Sequence, residues 1–113
     1  MVKEFTRAFP ESELPEGRIK AIEINGHPVA IARYQGIIYA VDDICTHDGG
    51  HLGEGDVVKG QVQCPRHGAR FELATGQVTR MPAVFPISRY ETKIENGEIY
   101  VEIPEEKGGE YES

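Results

Sequence analysis

Cys45-Thr46-His47 and Cys64-Pro65-Arg66-His67-Gly68 are separated by sixteen residues, His47 to Cys64, and use both cysteines and two of the four histidines of a 113-residue chain. Each stretch offers one thiolate and one imidazole, all within 23 residues. Packing gives no reason for such a concentration of soft and borderline donors, so it points to metal binding. A Cys-x-His unit lets two side chains of one tight loop face a common site. A Cys-x-x-His loop can close on that site from the opposite side. Glycines around them permit the loop φ values and let backbone N–H groups approach sulfur with no Cβ in the way. Two inorganic readings stand open at this point. One is a tetrahedral Cys2His2 zinc site, the other a two-iron, two-sulfide cluster with thiolates on one iron and imidazoles on the other.

Outward from these loops the texture changes. The segment from Asp42 to Pro86 contains Gly49, Gly50, Gly53, Gly55, Gly60, Gly68 and Gly76, with brief strand signals at Val62–Cys64 and Arg70–Leu73. On its flanks, Val41 and Ile87 are assigned to long β runs. Arg18–Ile24, Pro28–Tyr34 and Ile37–Val41 are rich in β-branched or aromatic residues. Glu98–Ile103 alternates, placing Ile99, Val101 and Ile103 toward a core and Glu98, Tyr100 and Glu102 toward water. Asn25-Gly26, Gln35-Gly36 and Asn96-Gly97 fall between such runs, where type I′ hairpin turns need positive φ. Only Ser12–Glu16 could form a short helical turn. The expected fold is all-β: an antiparallel sandwich or barrel base built by both chain ends, with a loop-rich metal subdomain (about 42–86) inserted. Residues 1–103 make one domain, and 104–113 an acidic, Gly-rich tail.

The bulk composition narrows the function. Hydrophobic content of 39% and charged content of 27% are those of an ordinary globular chain. Twelve basic against nineteen acidic residues give a formal charge of −7, without a Lys/Arg run, so nucleic acid is excluded as partner. A negative surface favours positively charged protein patches instead. No apolar stretch has the length of a membrane span, and Met1-Val2-Lys3-Glu4 lacks a signal-peptide core. The expected location is cytoplasmic, where two cysteines read as metal ligands or a redox pair.

The pattern Cys45-Thr46-His47 … Cys64-Pro65-Arg66-His67-Gly68 resembles the Rieske iron–sulfur box, and the strand pattern from Phe5 to Ile103 suits the Rieske fold. Zinc-finger spacing fits worse, because no short helix is readable between the ligand pairs. The resemblance implies one [2Fe-2S] cluster per chain, with Cys45 and Cys64 on the inner iron and His47 and His67 on the outer. It also makes Pro82–Pro86 a proline-containing loop shielding the cluster. Two ferric ions, two sulfides and two thiolates sum to zero charge, whereas four thiolates would leave a dianion. An added electron therefore costs less, and Rieske potentials span roughly −150 to +300 mV against about −400 mV for the four-cysteine plant type.

Departures from the respiratory members of the family are informative. Gly50 and Arg66 stand where those proteins carry disulfide-forming cysteines. Ala69 and Phe71 stand in place of a serine and a tyrosine that donate hydrogen bonds. Fewer donors destabilise the more negative reduced state, which places the potential toward the low end. The chain is similar to soluble Rieske-type ferredoxins of bacterial aromatic-ring dioxygenase systems. That likeness implies a monomeric shuttle carrying single electrons from a flavin-dependent ferredoxin reductase to a terminal oxygenase. The chain itself is then not an enzyme: beyond the box only His27 and His51 remain, too few for an oxygenase iron site of two histidines and a carboxylate. The alternatives are a small subunit of a nitrite reductase-like complex, or a zinc-stabilised interaction domain.

Other residues take plainer roles. His51 is expected to be a loop histidine outside the site, and His27 to lie exposed after its turn. Arg66 and Arg70 are surface charges, with Arg66 a candidate for tuning docking. Phe71 and Leu73 are assigned to the core beneath the loops, and Tyr34, Tyr39 and Tyr90 to strand packing.

Overall fold

Three Xaa-Gly pairs set the strand order. Asn25 and Gly26 have φ of 53° and 78°, Gln35 and Gly36 53° and 78°, and Asn96 and Gly97 54° and 78°. Both central residues of each turn thus occupy the left-handed region that a type I′ hairpin requires. A fourth pair, Lys59-Gly60 (50° and 79°), turns in the same way; the sequence reading passed over it because lysine is not a usual residue there.

The computed structural model describes residues 3–43, 51–65, 68–81 and 86–104. Among them, strands β1 (Lys3–Pro10), β2 (Ile19–Ile24), β3 (His27–Tyr34), β4 (Ile37–Asp42), β5 (Asp56–Val58), β6 (Gln61–Gln63), β7 (Arg70–Glu72), β8 (Val78–Arg80), β9 (Arg89–Tyr90), β10 (Thr92–Glu95) and β11 (Glu98–Pro104) form three antiparallel sheets. Their orders are β1-β11-β10, β2-β3-β4-β9 and β5-β6-β7-β8. Both chain ends build the first sheet, as the sequence reading required. The strands of the third lie wholly between β4 and β9 in sequence.

β3 explains the layering. Val29, Ala30, Ile31 and Ala32 are all fully buried, so both faces of this strand are covered. Val29 and Ile31 join Phe9, Leu14, Ile24, Ile38, Ala40, Tyr90, Ile99, Val101 and Ile103 in one core. Ala30 and Ala32 face the other way, into a second core with Val41, Leu52, Val62, Cys64, Ala69, Phe71, Leu73 and Ile87. The small alanines let the inserted sheet approach the base closely. The base is therefore a sandwich of two sheets, and the third sheet packs on the outer face of the second.

Several local expectations change. Ile87 is buried but belongs to no long β run, since pairing resumes only at the two-residue β9. The short helical turn falls at Glu11–Glu13 rather than Ser12–Glu16. Phe71 and Leu73 lie in the second core as expected. Tail residues 105–113 lie outside the described residues.

Candidate metal centre

Cys64 follows β6 directly, and its turn is closed by main-chain bonds. Its N–H donates to the Ala69 carbonyl at 2.7 Å, and the Gly68 N–H donates to the Cys64 carbonyl at 3.2 Å. Gly68 has φ of 79°, which a residue with a Cβ adopts only under strain. These bonds close the connection between β6 and β7 on the Cys64 side. Beneath it, Val62, Ala69, Phe71, Leu52 and Leu73 are each at most 1% exposed and form an apolar floor.

The Cys64 thiol sits on this floor, free of any disulfide and 1% exposed. Among the described residues it has no hydrogen-bond partner. A buried thiolate without partners is costly, and a metal ion removes that cost. Of the four candidate ligands, Cys64 is thus in the environment that the sulfur-bound end of an iron–sulfur cluster needs. Cys45, His47 and His67 lie outside the described residues, as do Arg66 and residues 82–85 of the expected shielding loop. Ala69 and Phe71, both fully buried, offer this floor no side-chain donor.

Sequence reasoning missed an acidic doublet that organises the neck of the insertion. β4 ends at Asp42, and Asp42 and Ser88 exchange main-chain and side-chain bonds. The Asp42 N–H donates to the Ser88 carbonyl at 3.0 Å, and the Ser88 N–H donates to Asp42 Oδ2 at 3.2 Å. The Tyr90 hydroxyl donates to Asp42 Oδ1 at 2.6 Å, and His27 Nε2 lies 3.1 Å from the same oxygen and 2.6 Å from the hydroxyl. His27 is consequently only 16% exposed in its side chain, not the free surface residue that its place after a turn suggested. Tyr90 packs in the first core as a strand residue should.

Asp43 performs the matching task on the other side. It is 4% exposed; Oδ1 accepts the Gly53 N–H at 2.6 Å, and Oδ2 lies 3.1 Å from His51 Nδ1. A buried carboxylate needs such partners to offset its lost hydration. His51 is thereby held by a carboxylate two residues before Cys45 while remaining 61% exposed in its side chain. The signal for both aspartates was their position: adjacent acids at a strand end, directly before the first pair of candidate ligands in the sequence.

Comparison with known proteins gives a consistent result. The model of the Rieske [2Fe-2S] domain matches residues 4–91. The 3-phenylpropionate/cinnamic acid dioxygenase ferredoxin subunit of Shigella flexneri is 37% identical over 100 residues, covering 87% of this chain and 92% of that protein. Among solved structures, the ferredoxin of carbazole 1,9a-dioxygenase from Nocardioides aromaticivorans IC177 superposes with a TM-score of 0.82 at 28% identity, covering 86% of this chain and 95% of the other. A complex of reduced oxygenase and oxidized ferredoxin in carbazole 1,9a-dioxygenase matches with a TM-score of 0.81 at 31% identity, covering 86% and 91%.

Proposed function

The chain belongs to the Rieske [2Fe-2S] domain family, and from that premise we propose that it is the one-electron carrier of an oxygenase system, taking electrons from a flavin-dependent reductase and handing them to a terminal oxygenase. The observation that carries this reading is the buried Cys64 thiol, which among the described residues has no hydrogen-bond partner and sits at the end of β6 on an apolar floor. The cofactor of the family is a [2Fe-2S] cluster, which when bound supplies reversible one-electron transfer. Cys45 and Cys64 would hold its inner iron, and His47 and His67 its outer iron. Residues 1–103 would act as one domain, with 42–86 providing the ligands.

The chain's own residues supply binding, exclusion of water and orientation. Phe71, Val62 and Ala69 form a dry floor, and the main-chain bonds around Cys64 fix the direction of its thiolate. Asp42 and Asp43 hold the two strands of chain that leave and re-enter the base. Without a serine hydroxyl at position 69 or a tyrosine hydroxyl at 71, two donors to the reduced state are lost, which places the potential toward the low end of the Rieske range. No catalytic group is assigned, in keeping with relatives named as ferredoxin components. Among the described residues no helix is long and apolar enough to cross a membrane, and cytoplasmic location fits a reductase-linked carrier.

Anaerobic purification tests the reading. The expected product is red-brown, with two iron and two acid-labile sulfides per chain. His47→Ala and His67→Ala should each abolish the Rieske electron-resonance signature, because an iron loses a strong ligand. A colourless protein with one zinc, or an unchanged spectrum in either variant, refutes it.

A further inference from the structure

The chain is acidic overall, and five of its described cations are neutralised in place. Arg7 pairs with Glu98, Lys20 with Glu13, Arg33 with Glu11, Arg89 with Glu91 and Lys93 with Glu95. The inserted sheet breaks this pattern. Arg70 on β7 and Arg80 on β8 are direct cross-strand partners, an arrangement that costs stability because like charges face each other. Among the described residues neither meets a carboxylate; Arg70 Nε donates instead to the neutral Gln63 amide at 2.7 Å. Gln63 is itself the register partner of Arg70 and the residue before Cys64. The pair therefore sits at the end of the sheet beside the metal-binding turn. Next to Arg80, Met81 is 75% exposed, an adaptable apolar contact of the kind interfaces favour.

The acids on the same sheet do not cancel this charge. Asp56 lies two strands from Arg70 across β6, and the Glu72 carboxylate accepts a bond from the Thr75 hydroxyl. Among the described residues, the Arg70–Arg80 pair remains without a carboxylate partner next to the proposed site of electron transfer, on a chain of charge −7.

We propose that the Arg70–Arg80 face docks a carboxylate-bearing surface of the protein that delivers the electron. This rests on the carrier function above and names the partner that uses this face. The direction follows from linkage. An electron arriving beside the arginines adds one negative charge, so an acidic partner is held more tightly before transfer than after it. That order suits a donor, which must bind the oxidised carrier and release the reduced one. An acidic acceptor would instead cling to its product.

The test compares the oxidised, cluster-loaded protein with the Arg70→Gln/Arg80→Gln variant and with Arg70→Lys/Arg80→Lys. The probe donors are flavodoxin hydroquinone, an acidic flavoprotein, and the methyl viologen radical cation, each giving one electron to the bound cluster. At an ionic strength of about 0.1 M, where the Debye length is about 10 Å, reduction by flavodoxin should slow roughly five-fold in the glutamine variant. The rate should recover in the lysine variant, and reduction by viologen should not slow. The reduction potential of the glutamine variant should also fall by about 18 mV, a two-fold change in a one-electron equilibrium at about 59 mV per decade. Equal flavodoxin rates and equal potentials in a fully loaded variant overturn the docking face while leaving the carrier function intact. Absence of an iron–sulfur cluster from the parent protein overturns the carrier function first. Slowing by viologen as well as flavodoxin shows a structural defect and also refutes the docking role.

Discussion

Gly55→Ala places one methyl group against the strand that carries Cys64. Gly55 is extended, with φ of −93°, so alanine suits its backbone and the effect is purely steric. The new Cβ would collide with the Gln63 carbonyl oxygen, and would lie 3.1 Å from its carbon and 3.2 Å from Pro65 Cδ. All three atoms belong to the β6 end or the turn after it, and a main-chain carbonyl cannot swing aside as a side chain does. Overpacking of this kind costs about 1–3 kcal/mol. Parting Asp56 from Gln63 at the end of the β5–β6 ladder adds about 1 kcal/mol per bond lost. A total near 3 kcal/mol would lower the Tm by roughly 13 °C for a domain of this size. Because Cys64 directly follows the displaced strand, cluster content should fall along with stability. The assay is thermal unfolding of anaerobically prepared protein, with iron and sulfide counted per chain. Gly26→Ala is the control: nothing lies within 4 Å of its Cβ, yet its φ of +78° strains any side chain, at about 1–2 kcal/mol. It should lose stability while keeping its full cluster. A Gly55→Ala protein with parental Tm and parental iron content would falsify the steric argument.

Leu14→Ala should destabilise the base by about 2–5 kcal/mol, since Leu14 is 1% exposed within the first core; denaturant midpoints measure this, and a loss under 1 kcal/mol counts against the packing described. Asp43→Ala strips the acceptor from the Gly53 N–H and should cost about 1–3 kcal/mol, whereas Asp43→Asn, which retains an acceptor oxygen, should recover part of it in the same unfolding assay. Tyr90→Phe removes the hydroxyl shared by Asp42 and His27 and should cost about 1–2 kcal/mol. Its visible spectrum should match the parent, and a changed spectrum would mean that the neck reaches the metal directly.

The parts of the fold legible in the sequence were those governed by local rules. Asn-Gly and Gln-Gly turns announce positive φ, and the alternation of Ile99, Val101 and Ile103 announces a strand with one wet face. β1 was harder because a register shift between Arg7 and Phe9 interrupts its alternation. β5 and β8 are three residues each, too short for any periodic signal, and exist because β6 and β7 offer them edges. Cys64 was legible as a candidate ligand from its spacing, but its burial depends on Ala30 and Ala32, distant residues that leave room for the inserted sheet. The roles of Asp42 and Asp43 were invisible for a similar reason: their partners Ser88, Tyr90, His27, Gly53 and His51 meet them only after the sheets assemble.

The reciprocal Asp42–Ser88 bonds hold the end of β4 against the residue that precedes β9, so the chain leaves the base and returns to it at one place. A segment whose ends already touch can change in length or be exchanged for that of a relative without lengthening the path through the base. The ladders on either side of the junction stay in register whatever is threaded between them. Redox tuning by loop grafting thus becomes an engineering problem separate from keeping the host sandwich folded, provided the graft keeps Leu52, Val62 and Phe71 to seat it on Ala30 and Ala32.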